Sequence, residues 1–235
     1  MQETIILLAT AVSLGFVHTI IGPDHYVPFI AIAKAKNWSK MKVLAIVSLC
    51  GIGHILSSVA IGIIGIAFGI AISSVEAFES SRGEIAGWLL LSFGLIYTVW
   101  GIKRSYKNKP HTHIHNHHDG SRHDHEHSHN DNHSHVHLSK DKSMTGWLLF
   151  LIFIFGPCEP LIPLLMYPAA SQNYLAVFLV TAAFGIVTIS TMLAMTFLGI
   201  AGVSLLPVHR LERHVHTLAG LTILFCGVSI LFLGL

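Results

Sequence analysis

Long apolar runs alternate with short polar connections along the whole chain. Six membrane-spanning segments are predicted, at 4–33, 43–70, 85–102, 145–170, 174–202 and 216–235. They approach or exceed the ~20 residues an α-helix needs to cross the hydrocarbon core. Two of them are interrupted, at 22–25 and 156–160, and the interruptions share a cause. Gly22-Pro23 and Gly156-Pro157 each supply a proline, which has no N–H to give and pushes the glycine before it off the α region. The expected fold class is an all-α polytopic membrane protein.

The breaks also mark a repeat. A shift of 134 residues lays Gly22-Pro23 on Gly156-Pro157, Gly51-Ile52 on Gly185-Ile186, and Gly65 on Gly199. Each copy then holds three spans, and an odd number inverts the second copy relative to the first. Two inverted three-helix repeats, each opening on a broken helix, are the architecture of many secondary transporters. The domains expected are 1–102 for the first repeat, 103–143 for a connection and 144–235 for the second repeat.

Composition agrees with the pattern. Of 235 residues 52% are hydrophobic and 11% charged, too few charges to coat a soluble domain. Thirteen of the 14 lysines and arginines fall in the connections 34–42, 103–143 and 203–215, which a six-span alternation places on one side. The positive-inside rule makes that side the cytoplasm, with both termini outside a plasma membrane of prokaryotic type. Arg82 is expected outside, beside Glu76, Glu79 and Glu84. A net charge of +2, segregated by topology, gives no reason to expect nucleic acid. The partners expected are the lipid bilayer and a metal ion, with nothing to fix an oligomeric state. "MQETIILL" has no basic n-region and no cleavage site, so the first run is expected to stay as a span. Cys50, Cys158 and Cys226 lie in separate apolar segments without a C-x-x-C pair.

Chemistry concentrates at the breaks. Within the predicted spans the only acids are Asp24 and Glu159, and the deep histidines are His18, His25 and His54. Ionisable groups in hydrocarbon are costly, about 2.5–3.5 kcal/mol each on insertion scales, and mark function by default. An unbroken helix would hold His18 and His25 about 10 Å apart along its axis, too far for one ion. The unwound turn at Gly22-Pro23 can bring Asp24 and His25 back toward His18. Imidazole with carboxylate suits divalent nickel, cobalt, zinc, copper or iron. The expected metal ligands are therefore His18, Asp24, His25 and His54. In the repeat His25 matches Glu159 and His54 matches Thr188, which gives Glu159 and Thr188 a gating or proton-coupling role.

The connection 103–143 is low in complexity and expected to be disordered. It carries His111, His113, His115, His117, His118, His123, His125, His127, His129, His133, His135 and His137. At that density imidazoles gather metal in shifting combinations, an auxiliary buffering or sensing loop.

"HTIIGPDHYVPFIAIA" resembles the histidine–aspartate–histidine signature of the nickel/cobalt transporter superfamily, and "GIGHILSSV" is similar to its motif in the following helix. The His-rich loop resembles that of the nickel–cobalt efflux branch, whose six-span relatives include membrane urease-accessory proteins. The resemblance implies metal-handling roles for His18, Asp24, His25 and His54 and makes nickel or cobalt the expected cargo, with zinc also suited. The function expected is a secondary transporter rather than an enzyme, and a loop that gathers metal in the cytoplasm favours efflux. No G-x-x-x-x-G-K-[ST] motif is present for ATP hydrolysis. Two other readings fit parts of the chain. A membrane thiol–disulfide electron relay would use Cys158 at the second break but has Asp24 where a second cysteine belongs. A non-transporting metal sensor or metallocentre-assembly partner would use the histidines alone.

Overall fold

A computed structural model describes residues 2–107, 111–116, 122–127, 144–205 and 214–233. It is a bundle of helices: α1 (Gln2–Ile21), α2 (Val27–Ala35), α3 (Lys40–Ala67), α4 (Ile72–Lys107), α5 (Met144–Phe155), α6 (Leu161–Ala170), α7 (Tyr174–Leu205) and α8 (Val215–Leu233). Helices α1, α3, α4, α7 and α8 are long and apolar enough to cross a membrane, and α5 and α6 are shorter apolar helices. Many large apolar side chains face outward, Phe16, Leu56, Ile96 and Phe225 among them, as they must where lipid is the solvent. The chain is an integral membrane protein.

Local chemistry sets the helix ends. The Ser39 side chain caps α3 by accepting from the Lys42 N–H at 3.3 Å. Gly69, at φ +63°, ends α3 by letting Ile70 N reach back to Gly65 O at 2.8 Å. The Asn173 side chain caps α7 by accepting from Ala176 N at 3.1 Å. The two Gly-Pro breaks lie where the sequence predicts them, between α1 and α2 and between α5 and α6.

The helices pack in pairs. α4 lies along α8, α1 lies against α7 and α5 against α3, while α2 packs chiefly on α8 and α6 chiefly on α7. Glycines let the α4–α8 seam close. A Cβ at Gly101 would stand 2.6 Å from Thr217 N, and one at Gly227 would stand 2.5 Å from Leu91 N. Gly94 and Gly220 press still closer on Leu224 and Thr98. Small residues at a helix seam replace the hydrophobic drive that lipid removes. The largest apolar cluster joins Phe29, Val47, Leu90, Leu149, Met192 and Ile223 from both halves.

Two expectations change. α4 begins at Ile72, well before the span predicted from residue 85, so Glu79 and Arg82 belong to a helix rather than to a connection. They are 0% and 6% exposed, in the interior of the bundle. The physical reason is register: Val75, Glu79, Arg82, Ala86, Leu90, Phe93 and Tyr97 are all buried and recur at helical spacing, so one face of α4 carries the ion pair inward. The second change is in the His-rich connection, where His111–Asn116 (β1) and Arg122–His127 (β2) form an antiparallel hairpin. Its register sets His111 opposite His127, His113 opposite His125 and His115 opposite His123. Alternation of histidine with other residues has the period of a strand, which composition alone does not reveal. His117, His118, His129, His133, His135 and His137 lie outside the described residues.

Candidate functional site

Pro23 ends α1, and the chain makes one tight turn over Pro23–His25 before α2 begins at Val27. The backbone stays satisfied, with Gly22 N donating to His18 O at 3.0 Å and His25 N to Gly22 O at 3.1 Å. This turn folds His25 back on α1. The ring centroids of His18 and His25 are 4.7 Å apart and nearly perpendicular. α3 brings His54 to 5.2 Å from His25 and 6.5 Å from His18.

One ring nitrogen from each histidine lies within 4.8 Å of the other two. A tetrahedral ion with bonds of about 2.0–2.1 Å needs its ligand nitrogens about 3.4 Å apart. Drawing the rings inward by about 1 Å would complete three sides of such a site. The orientation of two rings is fixed from behind. His25 Nδ1 lies 3.2 Å from Gly22 O and 3.1 Å from Asp24 Oδ1, and His54 Nδ1 lies 3.4 Å from Phe153 O. These partners are acceptors, so Nδ1 carries the proton and donates while Nε2 keeps a lone pair. Nε2 of His18, His25 and His54 are all buried and have no hydrogen-bond partner. A buried polar atom left unpaired costs about 1–3 kcal/mol, and three of them in one cluster of rings are what a Lewis acid would satisfy.

Not every expected site residue joins this group. Asp24 stands behind His25 and is not one of the three converging ligands. It was expected as a ligand because it is the only acid at the break. The tight turn instead spends its carboxylate on the imidazole beside it. Thr188 is buried but packs on α1 at Gly15, where an added Cβ would stand 3.2 Å from Thr188 Oγ1. Glu159 is exposed at the rim of the cleft described below.

The glycines of the breaks have a specific task. A Cβ on Gly22 would come within 2.6 Å of His25 Nδ1, and one on Gly156 within 3.1 Å of His54 Nδ1. Each break therefore admits an imidazole against its backbone.

A second constellation, which the sequence did not disclose, braces the break between α5 and α6. Pro157 cannot continue α5, and Arg82 takes the carbonyls left open: Nη2 donates to Ile154 O at 2.6 Å and to Gly156 O at 3.3 Å. The same guanidinium reaches Ser57 Oγ at 2.8 Å and Ser58 Oγ at 3.4 Å on α3, and pairs with Glu79. Glu79 Oε2 accepts from Cys158 N at 3.1 Å and from Ser58 Oγ at 2.9 Å. The legible signal was the helical spacing of Glu79 and Arg82 with Val75 and Ala86.

Both breaks border a cleft of about 600 Å³ between α1, α4 and α8. The histidines form part of its wall, Asp24, Glu84 and Glu159 also line it, and among the described residues no lysine or arginine does. Among the described residues, Cys50, Cys158 and Cys226 are free and buried. Cys158 lies in a different apolar cluster from Cys50 and Cys226.

Residues 27–229 match the family described as the cytochrome C biogenesis protein transmembrane region. No curated protein and no solved structure matches the chain. The chain belongs to this cytochrome c biogenesis family of thiol–disulfide transmembrane proteins. That finding overturns the resemblance to the nickel/cobalt transporter superfamily, and with it the expected transport of nickel or cobalt. The resemblance rested on two short motifs at one broken helix and its neighbour, whereas the match runs through all the later helices. The matched stretch starts beyond His25, so it includes His54 but not His18 or Asp24.

Proposed function

From the geometry of the three histidines, we propose that the chain is a non-transporting partner in membrane metallocentre assembly, holding a divalent transition-metal ion on His18, His25 and His54. One observation carries the reading: three buried Nε2 atoms without partners, all from rings whose ligand atoms lie within 4.8 Å of one another. Three neutral imidazoles suit zinc, copper, nickel, cobalt or ferrous iron, and the fourth position faces the cleft for a water or an exchanging ligand. The cleft's chemistry favours a bare or hydrated cation over a porphyrin, because carboxylates line it and, among the described residues, no lysine or arginine is there to meet propionates. Within this reading the ion is held and passed on, with no reaction catalysed.

The six-crossing, inverted-repeat arrangement belongs to the same proposal. α5 and α6 together make one broken crossing, as α1 and α2 do. The arrangement is supported by the packing of α1 on α7, of α5 on α3, and of the last helices α4 and α8 on each other. The lysine and arginine distribution supports a cytoplasmic His-rich connection.

The family match supports a second reading, a membrane thiol–disulfide relay, and Cys158 at the second break is the residue that favours it. The two readings separate cleanly. Full-length protein in proteoliposomes, titrated with Co(II) or Zn(II), should bind the ion at the three histidines and show no net accumulation in the lumen. His18→Ala and His25→Ala should each lose that binding. Unchanged binding in both variants would end the metal reading. A Cys158 disulfide to a partner, trapped by alkylation and shifted by redox poise, would install the relay in its place.

A further inference from the structure

The cleft beside the histidines carries more charge than the site needs. Glu84 on α4 and Glu159 at the second break line it together with Asp24, His25 and His54. Asp24 is bonded to His25, so its charge serves the ring beside it. Arg82 is two residues from Glu84 on α4, yet its guanidinium is turned to Glu79, Ser57, Ser58 and the carbonyls of the second break. Among the described residues no lysine or arginine lines the cleft to offset Glu84 and Glu159. Both glutamates are exposed, whereas His25 and His54 are 3% and 2% exposed, with unpartnered Nε2 atoms. The cleft thus runs from oxygen ligands at an accessible rim to nitrogen ligands at a buried wall.

We infer that Glu84 and Glu159 form an outer collecting site for a hydrated divalent cation and hand it to the three histidines. The inference rests on the metal reading above and adds a way in to it. The chemistry is graded. Carboxylates hold a hydrated cation loosely, since most of its water stays on. Imidazoles bind a partly stripped transition-metal ion more tightly. Low-dielectric walls concentrate the field of the two carboxylates and raise the local cation concentration, an effect on association of about tenfold to a thousandfold. A collecting site of this kind lowers the barrier in both directions. It therefore changes the rates of loading and release while leaving the affinity of the inner site nearly untouched.

Stopped-flow mixing of the full-length protein in detergent with Co(II) alone tests this. The phase belonging to the inner site is identified as the one missing from His54→Ala, which sets aside metal taken up by the His-rich connection. In the Glu84→Gln/Glu159→Gln double variant that phase should slow at least about tenfold, and its rate should lose most of its dependence on ionic strength. The equilibrium affinity should stay within about threefold of the unaltered protein. A double variant that loads at the unaltered rate would overturn the inference. So would a large loss of affinity at an unaltered rate, because the glutamates would then be ligands rather than collectors. If the unaltered protein itself lacks the His54-dependent phase, the three-histidine reading fails first, and the collecting site falls with it.

Discussion

Asp24 accepts from His25, with Oδ1 of the carboxylate 3.1 Å from Nδ1 of the ring, and the two residues are adjacent in the chain. The contact exists because Pro23 forces a tight turn there, and it occupies Nδ1 of His25 while Nε2 stays buried without a partner. A carboxylate behind an imidazole fixes the tautomer and raises ligand basicity.

Asp24→Asn should therefore weaken metal binding without abolishing it, by about 10–100-fold. His25→Ala should remove the site. Co(II) titration followed by d–d absorption, in protein whose melting is unchanged, distinguishes the two. Equal and complete loss in both variants would make Asp24 a ligand. Ligating imidazoles must be neutral, so acid should release the ion from the unaltered protein.

Gly22 and Gly156 should differ in a graded way. Alanine at position 22 would put a Cβ within 2.6 Å of His25 Nδ1, which has to move, whereas at position 156 the distance from His54 Nδ1 is 3.1 Å. Gly22→Ala should cost at least about tenfold in affinity, since a misplaced ligand breaks the geometry the ion requires. Gly156→Ala should cost less. The reverse order in a metal titration would show that the rings are not held where the backbone now admits them.

Arg82→Ala should destabilise the protein by about 3–5 kcal/mol, the cost of leaving a buried partner charge uncompensated. Replacing both members, as in Glu79→Leu/Arg82→Leu, often restores stability when a pair stands alone. Here recovery should be partial, because Ile154 O, Gly156 O and Cys158 N also lose their partners. Equilibrium unfolding in mixed detergent measures both. Full recovery in the double variant would mean that the pair braces nothing but itself.

The α4–α8 seam should tolerate no side chain. Gly94→Ala forces a Cβ onto the backbone of Leu224, and overpacking of this kind costs about 1–3 kcal/mol or more. Gly202→Ala is the control, since nothing lies within 4 Å of a Cβ there, and alanine should be neutral or slightly stabilising in α7. Thermal unfolding that ranks the two variants together would dismiss the seam as a determinant of the fold.

The membrane class, the two breaks and the identity of the three histidines were legible because each depends on local chemistry. Long apolar runs require lipid or a deep core, proline cannot continue a helix, and an imidazole in an apolar run has to be accounted for. The start of α4 was not legible from hydropathy. Glu76, Glu79, Arg82 and Glu84 lower the average there, although two of the four are buried against each other.

The sequence by itself determined that the chain lives in a membrane, where its first and fourth predicted spans break, and which rings stand close to the first break. Only the tertiary structure decided that His54, 29 positions from His25, completes the cluster, because α3 has to pack against both breaks for that to happen. The packing also turned Asp24 from a ligand into a support for His25 and carried Arg82 inside to cap a proline-broken helix. These roles depend on which unsatisfied backbone group or ring lies nearest across the bundle. Distances across helices are set by packing, and residue order along the chain does not encode them.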